Sequence, residues 1–133
     1  MRLRLRFTPS AWEVVHHAQV EPIFMYDDDE LDDFDISDVS RGDTWGTYVF
    51  DMKKKVGDIR GAVLFSRQLL LEEVGKKNFN VLLFEGWRLT LLRKGKKHRI
   101  EVRYCGRAAL ASGKLPPQPP PPFLGVLDSC KVT

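Results

Sequence analysis

The stretch from Trp87 to Tyr104 constrains the fold most. Two runs, Trp87 to Arg93 and His98 to Tyr104, flank Lys94-Gly95-Lys96-Lys97. A short glycine-containing connection between two such runs predicts a β-hairpin. In the second arm Ile100, Val102 and Tyr104 alternate with Arg99, Glu101 and Arg103. Successive side chains on a strand point to opposite faces, so one face of this arm is buried and the other charged. A sheet built on such an arm needs a second layer over its apolar face.

The chain supplies one candidate for that layer. From Ile59 to Val74 the apolar residues Ala62, Val63, Phe65, Leu69, Leu70 and Val74 recur at helical spacing. Arg60, Arg67, Gln68, Glu72 and Glu73 form the polar side. Asp58 is placed to cap this helix and Gly75 to stop it. Trp45 to Met52 predicts a strand, as does the nearly all-apolar Phe79 to Phe84, which belongs in the middle of a sheet. Glu85-Gly86 reads as a turn after it. Arg2 to Phe7 alternates arginine with apolar residues and predicts a further strand. Ala11 to Val20 is ambiguous. Ser10 with Glu13 is a capping-box pattern for a short helical turn, and Pro22 to Tyr26 is a short apolar patch.

These elements predict an α+β fold in a single small domain. It comprises a mostly antiparallel sheet of about four to six strands, one principal helix on one face, and an extended proline-rich C-terminal tail. The domain is expected over residues 1–112, with an acidic loop at 27–40, and the tail over 113–133. In that tail Pro116-Pro117-Gln118-Pro119-Pro120-Pro121-Pro122 is expected to be extended polyproline. Such a tract suits either a stiff surface tail or a ligand for aromatic-lined grooves. Phe123, Leu124, Val126 and Leu127 after it are apolar enough to dock on the core.

A length of 133 residues suits one domain with a sizeable core. No apolar run approaches the ~18 residues of a membrane span. The charged alternation at the N-terminus is unlike a signal peptide. Cys105 and Cys130 show no metal-ligand spacing and read as free thiols of a reducing compartment. A cytoplasmic protein without membrane contact or cofactor is expected.

Charge is segregated. Between Glu21 and Thr44 ten carboxylates face Arg41 alone, a net of −9, in a chain whose total is +3. An EF-hand loop needs a glycine at its sixth position. Counted from Asp27 that position is Asp32, and counted from Asp29 it is Phe34, so the motif fails. The poor strand propensity of Asp and the mutual repulsion predict a loop with at most one helical turn. Leu31, Phe34 and Ile36 lie among the acids. Carboxylates that speed encounter and apolar anchors that hold suit a basic protein surface. The leading expectation is therefore a protein-binding inhibitor, of the immunity-protein or antitoxin kind, that blocks a basic partner such as a nuclease toxin. Asp28, Asp29, Glu30, Leu31, Asp32, Asp33, Phe34 and Asp35 are its candidate contact residues.

The alternative is a small nucleic-acid-binding module using the basic hairpin 87–104, with Lys94, Lys96, Lys97, Arg99 and Arg103 on phosphates. Trp87 and Tyr104 lie in the same arms, where a core role competes with base stacking. Folding of the acidic segment onto the hairpin, or onto Arg2, Arg4 and Arg6, would be autoinhibitory. Catalysis is not expected: adjacent His16 and His17 do not face one site on a helix, and no nucleophile or phosphate-loop motif is present. No metal site is expected, although a minor enzyme using a loose carboxylate site for Mg²⁺ or Ca²⁺ is the third reading.

Overall fold

The computed structural model describes residues 11–52, 58–115 and 117–129. The strand predicted over Arg2 to Phe7, the Ser10 cap, Lys53-Lys54-Lys55 and Cys130 lie outside the described residues. The chain runs β1 (Glu13–Phe24), α1 (Asp28–Asp32), β2 (Phe34–Val39), β3 (Thr44–Met52), α2 (Ile59–Gly75), β4 (Val81–Lys94), β5 (Lys97–Gly113) and a 3-10 helix (Leu124–Ser129). Five strands form one sheet in which every pair is antiparallel. This is the α+β architecture expected, with one principal helix.

β5 organises the sheet. One of its edges pairs with β4, which pairs in turn with β1. Its other edge carries two strands end to end: β3 opposite His98 to Gly106, and β2 opposite Ala109 to Gly113. The linker between them stays on that edge, where the Ser40 amide donates to the Ala108 carbonyl at 2.8 Å. The predicted hairpin forms with Lys94 opposite Lys97. Gly95 turns it at a φ of +63°, a conformation open to glycine at no steric cost.

α2 covers the face bearing Trp87, Leu89, Leu91, Ile100, Val102 and Tyr104. Its own contribution is Ala62, Val63, Leu70 and Val74, all buried. Burial of a side chain such as Leu70 is worth about 1.5–3 kcal/mol. Phe65, expected inside, is exposed and meets Phe50 edge to face at 6.0 Å. Arg67, expected outside, is buried. The physical reason is position: Arg67 lies four residues after Val63 and three before Leu70, on the stripe that meets the sheet.

Three further expectations are corrected. Ala11 to Val20 holds no helical turn, because its alternating residues add β1 to the sheet edge and continue through Pro22. Proline is tolerated in an edge strand at a bulge, and the β1 register shifts between Val20 and Ile23. Glu85-Gly86 is not a turn. The two predicted strands are one long strand, Val81–Lys94, with a register shift between Leu82 and Glu85. The bulged backbones come so close that a Cβ on Gly86 would lie 2.7 Å from the Pro22 nitrogen. Finally, the acidic stretch is only half a loop. α1 is the single helical turn expected, but Phe34–Val39 is a strand. Burial of Phe34 and the open edge of β5 outweigh the poor strand propensity of Asp35 and Asp38.

The tail lies against the domain. Residues 117–121 adopt neither helix nor strand, and Leu127 is buried in the main core. The Trp87 indole donates to the Pro122 carbonyl at 2.9 Å, and Arg60 pairs with Asp128.

Candidate nucleic-acid interface

The register fixes what the second face of the sheet carries. With Trp87, Leu89 and Leu91 under α2, alternation sends Arg88, Thr90 and Leu92 of β4 to the opposite side. Their cross-strand partners on β5 are Arg103, Glu101 and Arg99. From β1 come His17 and Gln19, and from β3 come Trp45, Thr47, Val49 and Asp51. At one end Tyr26, Leu31 and Phe34 cover this face, over Val81, Ala109 and Ala111. Along the rest of it no described helix or strand packs.

Two tryptophans lie on the uncovered part, each beside two cations. The Arg103 and Arg88 guanidinium carbons sit 4.9 and 5.6 Å from the ring centre of Trp45, which is 43% exposed. Arg99 sits 4.3 Å and the Lys94 ammonium 5.8 Å from Trp12. Such contacts fix a long cationic side chain over an aromatic face at about 0.5–1 kcal/mol each when exposed. Arg107 makes a fifth such contact, at 5.4 Å from a third ring, Phe84.

Arg88 and Arg103 are direct cross-strand partners. Like charges directly opposite one another destabilise a sheet. Neither has an ion pair among the described residues, whereas Arg93, Arg99 and Arg107 are paired with Glu13, Asp51 and Asp43. Gln19 and Thr47 flank the two arginines in the same cross-sheet row. The row Gln19-Arg88-Arg103-Thr47 therefore presents two guanidinium groups to an anion, with the Gln19 amide already donating to Glu21 Oε1 at 3.1 Å. Cys105, fully buried opposite Trp45, has its thiol pushed up to about 11, mainly by burial. It is thus an uncharged part of the floor at neutral pH.

The residues proposed from sequence separate into two groups at opposite ends. Lys94, Arg99 and Arg103 stand on the uncovered face, and Lys96 and Lys97 at the exposed hairpin tip. Trp87 and Tyr104 are core residues. Arg88, Trp45 and Trp12 were not among the candidates. Arg88 was within reach of the sequence, since counting back from the Lys94–Lys97 pair places it opposite Arg103. The tryptophans were not, because their neighbours come from distant strands.

The acidic group gathers around α1 and β2. Asp27 and Glu30 form a capping box, with the Glu30 amide donating to Asp27 Oδ1 at 2.8 Å and the Asp27 amide to Glu30 Oε1 at 3.1 Å. Asp28, Asp29, Asp32, Asp33 and Asp35 are exposed and form no ion pair with a described residue. Two of the three apolar anchors are packed inward, whereas Ile36 stays 39% exposed. Phe34 is only 7% exposed, 4.9 Å from Tyr26 ring to ring, and Leu31 packs on the same cluster. Hydrophobic burial turns them inward. Nor does the hairpin receive the acids, since Lys97 and Gly113 are the two ends of β5. Among the described residues no three His, Cys, Asp or Glu side chains converge on a metal position. His16 and His17 sit on a strand, so they point to opposite faces, and His17 Nδ1 is 3.1 Å from Thr90 Oγ1.

One buried polar cluster was also missed. Glu85 is fully buried and accepts Arg67 Nε at 2.6 Å, Arg67 Nη2 at 2.8 Å and the Tyr104 hydroxyl at 2.5 Å. Arg67 Nη2 also donates to Gln118 Oε1 at 3.0 Å. Burial, then the negative Glu85, raises the Tyr104 phenol, which stays a donor. Burial alone would lower Arg67, but its bonds to Glu85 outweigh that and hold it charged. The cluster is closed by its own partners and ties helix, sheet and tail together. Comparison with family models, with curated proteins and with solved structures finds no match for this chain.

Proposed function

We propose that the protein binds nucleic acid on the sheet face turned away from α2. The observation that carries this reading is the Arg88–Arg103 couple, without an ion pair among the described residues, over the exposed ring of Trp45. Guanidinium groups suit phosphate oxygens, and an aromatic face beside them suits a base. Lys94 and Arg99 beside Trp12, with Lys96 and Lys97 at the tip, extend the same chemistry towards the hairpin. Arg88, Arg99, Arg103 and Trp45 are set by strand register rather than by a loop, which favours a fixed recognition surface. The test is a gel-shift series at low salt with single- and double-stranded RNA and DNA. Wild type should shift at least one of them, and the double reversal Arg88→Glu/Arg103→Glu should abolish the shift. No shift with any nucleic acid would end the proposal.

A second reading keeps the acidic end as a docking site for a basic protein such as a nuclease, with the chain as an inhibitor. It is favoured by the exposed carboxylates of Asp28, Asp29, Asp32, Asp33 and Asp35. With Leu31 and Phe34 committed to the core, charge would carry most of that contact. Its affinity would then fall steeply with salt. Substituting Asp28, Asp29 and Asp32 by lysine should abolish capture of a basic partner, and retained capture would remove this reading.

A further inference from the structure

We infer that the ligand of this face is single-stranded, with one base on Trp45, its phosphate on Arg88 and Arg103, and a second base on Trp12. The inference rests on the nucleic-acid reading above and narrows its substrate class.

Three observations point that way. First, the aromatic positions are far apart. Arg103 and Arg99 mark them on β5, four residues or about 13 Å from each other. Neighbouring stacked bases lie about 3.4 Å apart, so rings at this spacing engage a strand whose bases are splayed. A duplex keeps its bases inside and offers them to neither ring. Second, among the described residues no helix stands on the uncovered part of this face to enter a groove. Its side chains stand on a continuous sheet, and the protruding hairpin tip carries lysines but no aromatic residue. Third, the charge is nearly balanced. Arg88, Lys94, Arg99, Arg103 and Arg107 are opposed on the same side by Glu21, Asp43, Asp51 and Glu101. Of these five cations, Arg88, Arg103 and Lys94 have no carboxylate partner among the described residues, and neither do Lys96 and Lys97 at the hairpin tip. Three available cations between the two rings, with further lysines only at the hairpin tip, are poorly matched to the phosphate density of a duplex. Glu101, between the two rings, repels phosphate and accepts hydrogen bonds from base amino groups, which favours a strand with its bases turned to the sheet.

The salt dependence follows. A single strand contacting about three phosphate-neutralising cations should lose affinity with a log–log slope of about −2. Fluorescence anisotropy with labelled 12-mers of single-stranded RNA, single-stranded DNA, an abasic deoxyribose-phosphate strand and blunt duplex DNA separates the outcomes. Either or both single strands should bind at least tenfold more tightly than the duplex and the abasic strand. Trp45→Ala should lose about tenfold or more, and Trp45→Phe should keep most of the affinity. Because Trp45 covers Cys105, a second variant, Arg88→Gln/Arg103→Gln, tests the phosphate subsite without touching the ring, and should lower the slope towards −1. Equal affinity for duplex and single strand, or a Trp45→Ala variant of unchanged affinity, would overturn the inference while leaving the face a nucleic-acid binder. Absence of binding to all four probes would overturn both.

Discussion

At the scale of single residues, the buried Arg67–Glu85 pair sets the largest stakes. Both oxygens of Glu85 are engaged, and Tyr104 supplies a third bond. Removing one member strands a buried charge, at a typical cost of about 3–5 kcal/mol. Arg67→Met should therefore lower the unfolding free energy by that much, while the double variant Arg67→Met/Glu85→Leu should lose less. Urea unfolding of the three proteins checks the order, and a double variant less stable than the single would contradict it. A second prediction concerns pH. Burial holds the Cys105 thiol up at about 11, and burial with Glu73 holds the Tyr48 phenol up at about 12. Tyr104 is raised in the same direction. In each case the unfolded chain gives up its proton first. Stability from these groups is complete below the ordinary thiol value of 9.0. It declines as pH rises from there through 11 for Cys105, and from 10.0 through 12 for Tyr48. Urea midpoints at pH 8, 10 and 11 should fall in that order. Cys105→Ala should flatten the first part of the decline. A midpoint constant over this range would refute the assignment.

At the scale of elements, the two helix starts differ in a way that can be measured. Asp27 caps α1 through its side chain, and Glu30 returns the bond. Asp58 is the N-cap residue of α2, but its side chain makes no cap bond. Asp27→Ala should cost about 1 kcal/mol and Asp58→Ala markedly less, by thermal or urea denaturation; the reverse order would contradict the capping geometry. Gly95→Ala, at φ +63° in open space, should cost roughly 1 kcal/mol from backbone strain alone. The elements most legible in the sequence were those with a local signal. The hairpin announced itself through Gly95 and alternation, α2 through its apolar spacing, and β3 through its aromatic and β-branched run. What could not be read depends on partners distant in sequence. Nothing local says that Asp35 and Asp38 join a strand, because the reason is the free edge of β5. Nothing near Arg67 announces Glu85, which sits in a bulge that itself read as a turn. The candidate face followed the same division. Its β4 and β5 positions were implied by the hairpin register, whereas Trp45 arrives from β3 and Trp12 from the residue before β1, and no local pattern encodes the order of those strands in the sheet.

At the scale of the whole molecule, the sheet separates the charges that the sequence places in different segments. α1 and β2 hold the acids near Gly113, while the hairpin holds its lysines at Lys97, the other end of β5. Sixteen residues of strand span about 50 Å, several Debye lengths at physiological salt. Charge reversal at the acidic end, Asp28→Lys/Asp32→Lys, should therefore change oligonucleotide affinity by less than about twofold at 150 mM salt. A tenfold gain by anisotropy would show that the two ends communicate. Between those ends the sheet has one face sealed by α2 and the tail, and one on which arginines and tryptophans share the surface. The central claim is that this second face is the binding surface. A ¹⁵N–¹H correlation titration with a single-stranded oligonucleotide tests it most directly. The account predicts shifts at the indole N–H groups of Trp12 and Trp45 and at the backbone of Arg88, Arg99 and Arg103. The Trp87 indole and the α2 amides should stay in place. Shifts confined to α2 or to the acidic α1–β2 end, or no shifts at all, would contradict it.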